Sequence, residues 1–98
     1  MFGNGMMKKL QEMQQQVEEI KERLNHVKMI GEARDGDVRV EVNGNGVITD
    51  IQIKGDLQGE ELINLIITAA NRGLEAAQRT KEMEMAQSAK GMMPGLGM

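Results

Sequence analysis

The chain has no cysteine, no tryptophan and no tyrosine, and a single phenylalanine and a single proline among 98 residues. Each absence removes a class of protein. Without cysteine there is neither a disulfide nor a thiolate metal site, which suits a reducing compartment such as the cytosol. Phe2 is the only aromatic residue, so the stacking platforms that hold single strands or read RNA loops are missing. Long apolar runs are missing too. The longest, LIITAA over Leu65–Ala70, is far short of the ~20 residues that cross a bilayer. The opening MFGNGMMKKL has no apolar stretch ahead of its lysines and does not read as a secretory signal. The expectation is a soluble cytoplasmic protein with no membrane partner.

A body of this size buries only ~60–65% of its unfolded surface, and association is a common remedy. The net charge is −3, unevenly spread. Residues 1–29 hold five Lys/Arg and four Glu, residues 30–56 three against six Asp/Glu, and residues 57–98 four against five. The acidic excess sits in the middle, and the flanking segments are nearly neutral.

From Met6 the apolar positions are Met6, Leu10, Met13, Val17, Ile20, Leu24 and Val27. These 4-3 steps predict a helix over 6–28 with a narrow seam of the kind that meets another helix. The seam-flanking positions, Lys9, Gln14, Gln16, Lys21, Arg23 and Lys28, carry no acid, while Glu12, Glu18, Glu19 and Glu22 fall on outer positions. A parallel self-paired coil would set cation against cation, so that pairing is not expected. Asp35-Gly36 then signals a turn. Val38, Val40 and Val42 alternate with polar residues, NGNG follows as a hairpin turn, and Val47, Thr49, Ile51 and Ile53 alternate in their turn, the period of half-buried strands. With Ile30–Arg34 as a shorter first strand, the expectation is a three-stranded antiparallel meander.

A second long helix is predicted over 60–89. It carries two apolar stripes: Leu62, Ile66, Ala69, Gly73, Ala76, Thr80, Met83, and Ile63, Ile67, Ala70, Leu74, Ala77. The sheet can cover only one of them, which makes Ile63, Ile67, Ala70 and Leu74 candidates for a dimer interface. Gly73 in mid-helix costs about 1 kcal/mol against Ala. Close contact with another helix would justify it, and a kink is the alternative. The fold class expected is α+β: a long N-terminal helix, a three-stranded meander and a long C-terminal helix. Residues 1–90 form one domain and residues 91–98, starting at a terminating Gly91, a flexible tail. Helices of ~35 and ~40 Å outreach so small a sheet, so a symmetric dimer with paired helical arms is the economical assembly.

No active site is expected. NGNG lacks the GK[ST] of a phosphate-binding loop and no helix follows it. His26 is the only histidine and falls on an outer position. Glu60/Glu61 and Glu82/Glu84 read as solvated helix charges with no second group to tune them. No cofactor, metal or small-molecule substrate is implied. Met6, Met13 and Met83 read as seam and core filler, with an adaptable client-binding surface as the alternative. The functional signal is basic. Lys8, Lys9, Lys21, Arg23, Lys28, Arg72, Arg79, Lys81 and Lys90 are candidates for phosphate contact along an electropositive edge of the arms.

The order of these pieces resembles the YbaB/EbfC family of bacterial nucleoid-associated proteins. The resemblance rests on the opening MFG, the Gly36–Gly46 stretch with VRVEVNGNG, the helix EELINLIITAANRGLEAAQ, and the closing Gly91, Pro94, Gly95 and Leu96. Asn71 matches the family's usual Asn, and Gly73-Leu74 stands where the family often has an Ala-Leu pair. The resemblance implies a tweezers-shaped homodimer in the cytoplasm and nucleoid. It implies binding to double-stranded DNA, a change in DNA conformation, and roles in nucleoid organisation and gene regulation, without enzymatic activity. Two other readings fit the helix–hairpin–helix plan: a prefoldin-like holdase, and a non-enzymatic adaptor subunit.

Overall fold

The structure, a computed structural model, describes residues 2–92, with side chains for residues 5–89. Five elements follow in chain order: α1 (Phe2–Asn25), β1 (Lys28–Ala33), β2 (Val38–Asn43), β3 (Ile48–Ile53) and α2 (Gly59–Met92). The strands form one antiparallel sheet in the order β1-β2-β3. The α+β meander between two long helices is the one the sequence predicts. Its bounds differ. α1 ends at Asn25, short of the predicted 28, because the N–H groups of His26 and Val27 turn back to the carbonyls of Arg23 and Leu24, each 3.1 Å away. Bonds three residues back tighten and end a helix, and β1 starts at once. α2 runs through Gly91 to Met92, so Gly91 is not its terminator. The rest of the expected tail, residues 93–98, lies outside the described residues.

Val38, Val40 and Val42 point to one face of the sheet and are fully buried beneath α2. β1 puts Met29, Gly31 and Ala33 beside them, by the pairs Met29↔Val42, Gly31↔Val40 and Ala33↔Val38. On β3 the even alternation seen in the sequence is broken. Asp50 pairs with Glu41 but Ile48 pairs with Val42, which leaves Thr49 as an extra residue in a β-bulge. Ile48, not Val47 or Thr49, therefore joins Ile51 and Ile53 on the valine face. The Thr49 hydroxyl donates to the Glu41 carboxylate at 2.6 Å.

Gly73 has a different reason from either one expected. α2 is one uninterrupted helix, and its close approach is to strand β1, not to another helix. A methyl carbon on Gly31 would lie far inside contact distance of the Ala69 carbonyl and the Gly73 nitrogen, with the Gly73 Cα only 3.0 Å away. Two facing glycines let helix and strand backbones nearly touch.

Beyond the sheet, α1 packs on the C-terminal half of α2. Ile20 and Leu24 are buried there. Arg23 Nη2 donates to Glu84 Oε2 at 2.6 Å and Ser88 Oγ to Gln16 Oε1 at 2.8 Å. Position 16 meets 88 and position 23 meets 84, so the helices run antiparallel and this end of the α1 seam closes within one chain. The other end does not. Met6, Leu10 and Met13 are exposed, as is Met83, so these residues fill no core in the single chain. The molecule measures 67 × 25 × 19 Å along its principal axes.

Candidate nucleic-acid interface

The two flanks of α2 have different neighbours. Its buried line is Ala69, Gly73 and Ala77. On one side stand Arg72 and Arg79, seven residues and two turns apart, hence on one flank. This side faces β1, because Arg72 Nη1 donates to the Glu32 carbonyl at 2.7 Å. On the other side stand Ile63, Ile67, Ala70 and Leu74. This side faces the β2–β3 loop: the Leu74 side chain lies about 4.0 Å from a Cβ built on Gly46.

The second side opens onto an uncovered surface. α2 packs on β1 and β2 and hardly touches β3. Every residue of β3 is exposed. Ile48, Ile51 and Ile53 are 43–45% exposed although they lie on the core face of the sheet, and Ile63 and Ile67 are 56% and 53% exposed. Together they line an apolar trough between β3 and α2. Of the dimer candidates, Ile63 and Ile67 are open on this trough, while Ala70 and Leu74 are half-buried against the core. The three β3 isoleucines were missed as part of that surface. Their spacing across a bulge hid the shared face.

The basic candidates do not form one row. Lys8 and Lys9 are exposed on the outer half of α1 and have no ion pair among the described residues. Lys21 stands 4.0 Å from Glu18. Arg23 is tied to Glu84 across the arm, and Lys28 reaches Glu41 on the polar face of the sheet at 4.0 Å. Arg72 is held by a backbone carbonyl, and Arg79 is exposed with no ion-pair partner among the described residues. Lys81, half-buried, lines a notch with Asn45, Gly46, Leu74 and Gln78. The Lys90 side chain lies outside the described residues. Lys54, not singled out by sequence spacing, is exposed just beyond β3. Its backbone N–H donates to Asp37 at 2.8 Å while its ammonium has no ion pair among the described residues. Arg34 bridges Asp37 and Glu61, and Arg39 lies 3.0 Å from Glu32 across the strands. That approach is close but poorly aligned, since Arg39 Nε has no hydrogen bond, so we read it as an ion pair only.

No group of three or more His, Cys, Asp or Glu among the described residues could hold a metal ion, and no helix is long and apolar enough to cross a membrane. Projecting helices on a small sheet, with cations spread along their outer surfaces, define a binding protein that works through extended surface. The chain belongs to the YbaB/EbfC DNA-binding family, whose model matches residues 2–92. Similar proteins include a nucleoid-associated protein of Clostridium novyi (strain NT), 34% identical over 95% of this chain and 86% of its own length. Another, from Enterococcus faecalis, is 35% identical over 93% and 90%. The structure of an uncharacterized protein from Helicobacter pylori superposes with a TM-score of 0.75, covering 82% of this chain and 88% of that one at 22% identity. This last likeness concerns the fold.

Proposed function

We propose that the chain is a nucleoid protein that binds double-stranded DNA as a homodimer and alters its path, contributing to nucleoid organisation and gene regulation. The observation that carries the reading is the match to a DNA-binding family across residues 2–92. The relatives named as nucleoid-associated proteins support its place in the cell. In this reading a second copy covers the trough. Finishing the burial of five half-exposed isoleucines is worth about 1 kcal/mol each, so about 10 kcal/mol for two copies. That is of the order of the ~4–15 kcal/mol that association costs, and contacts around the trough supply the surplus. Using the trough flank for dimerisation leaves Arg72 and Arg79 on the open flank. Lys8, Lys9 and Arg79 are the leading phosphate contacts, with Lys21, Lys28, Arg72, Lys81 and Lys90 secondary. Arg23 ranks low, because it must leave Glu84 to reach a phosphate. Contacts are mainly to phosphate, with little base readout and no catalytic step.

The test is anisotropy of a labelled duplex of about 30 base pairs over a series of salt concentrations, paired with the protein's mass in solution. Affinity that falls linearly on a log–log plot, with about 0.9 of slope per phosphate neutralised, together with a dimer mass, supports the reading. No binding at low salt defeats it.

A further inference from the structure

The β2–β3 loop carries two asparagine–glycine pairs in succession, Asn43-Gly44 and Asn45-Gly46. This dipeptide has a chemistry of its own. The backbone nitrogen that follows an asparagine can attack the side-chain amide carbon, and glycine, with no Cβ, puts nothing in the way. The new N–C bond closes a five-membered succinimide. The side-chain nitrogen leaves as ammonia, carrying the proton that the attacking nitrogen gives up. Water then opens either carbonyl of the ring to give aspartate or isoaspartate. No oxidant or cofactor takes part. The step needs a glycine nitrogen free of other bonds and an amide carbon able to swing onto it.

The fold withholds both. Gly44 N–H donates to the carbonyls of Leu24 and Val27 at 2.9 and 3.1 Å, and Gly46 N–H to that of Asn43 at 3.0 Å. The Asn43 side-chain oxygen accepts from the N–H groups of Asn45 and Val47 at 2.9 and 3.1 Å. The Asn45 amide donates to the Lys21 carbonyl at 2.8 Å and to Asn25 Oδ1 at 2.6 Å. Asn43 is thus held by its own loop, whereas the Asn45 side chain is held by the last turns of α1. The remaining Asn45 oxygen is buried without a donor, so the side chain keeps its place through those two donated bonds.

We propose that Asn45-Gly46 is a latent deamidation site that docked α1 keeps shut, and that deamidation there opposes re-docking. The product carboxylate has no N–H to offer Lys21 O or Asn25 Oδ1, so acceptor faces acceptor where a donor stood. Isoaspartate also adds a backbone carbon to a four-residue loop whose bonds depend on its length. Molecules that open and react are therefore retained in the open state. The inference stands apart from the DNA reading, since it concerns the α1 contact alone.

The test incubates the full chain at mildly alkaline pH, folded and in denaturing urea, and follows Asn43 and Asn45 by peptide mass spectrometry. The folded chain is expected to react at Asn45 at least about tenfold more slowly than the unfolded chain, as for a reaction confined to a minor open state. Asn25→Ala, a change at an exposed position, is expected to speed Asn45 several-fold and leave Asn43 unchanged. Asn45→Asp is expected to raise amide exchange in α1 and spare β1 and β2. Equal folded and unfolded rates at Asn45, an Asn25→Ala rate equal to wild type, or unchanged α1 exchange in Asn45→Asp would each overturn the proposal.

Discussion

Replacing Gly31 by alanine puts a methyl group where the backbone of α2 already is. The added carbon would stand more than about 1 Å inside van der Waals contact with the Ala69 carbonyl and the Gly73 nitrogen. Both neighbours are backbone, so no rotamer change relieves the clash, and α2 must lift from β1. Val38, Val40, Val42, Ala69 and Ala77 then lose the contacts that bury them almost completely. Ordinary overpacking costs about 1–3 kcal/mol. A clash that displaces a whole helix is expected at or above the top of that range, about 3 kcal/mol or more, a large part of a small domain's ~5–15 kcal/mol. Gly73→Ala is the control from the opposite side of the same contact. Its methyl would meet Gly31 N at 3.3 Å, Val42 Cγ1 at 3.4 Å and Val40 O at 3.5 Å, nearly ordinary distances. The helix gains about 1 kcal/mol of propensity, so the net change should lie within about 1 kcal/mol of zero. The assay is urea unfolding by far-ultraviolet circular dichroism at fixed protein concentration, since the chain has no Trp or Tyr to report by fluorescence. A Gly31→Ala protein within 1 kcal/mol of wild type, marked about by the error of the method, or one more stable than Gly73→Ala, would refute the reasoning.

Ile51→Asp and Ile67→Asp put a carboxylate into the trough and should convert a dimer to a monomer at micromolar concentration, read by sedimentation, because burying an unpaired charge costs several kcal/mol. Arg79→Glu should weaken binding to all duplexes alike and lower the salt slope by about 0.9, and Lys21→Glu with Arg23→Glu should do so less, given the Arg23–Glu84 pair. Leu24→Ala should cost about 2–5 kcal/mol, since the side chain is 1% exposed and packs on the loop at Gly44. Arg23→Ala, at a largely exposed pair, should cost no more than about 1 kcal/mol, measured by the same unfolding assay.

Most of the fold could be read from local pattern. Alternating valines, an NGNG turn and a heptad seam each follow from a few neighbouring residues and a simple period. What escaped depends on contacts between distant parts of the chain. Gly73 carries no sign that its partner is Gly31. The bulge at Thr49 reverses which residues of β3 share a face, and a strict period of two cannot reveal one extra residue. The α1 seam was visible, but its closure over Ile20 and Leu24 only, with Met6, Leu10 and Met13 left open, is set by where α2 lies. The site was less legible still. Net charge and spacing find cations, whereas their availability depends on Glu84 beside Arg23, Glu41 beside Lys28 and the Glu32 carbonyl beside Arg72, none of them neighbours in sequence.

The antiparallel arm also imposes an order on synthesis. Chains emerge from the ribosome with the N-terminus first, and each strand here pairs with its neighbour in sequence across a loop of four residues. The meander can thus form early, by the short-range closures that fold fastest. α1 is made before any of it but finds its partners at Glu84 and Ser88, near the end of the chain. Through nearly the whole of translation its apolar seam waits without its mate, so the first element made is among the last to settle.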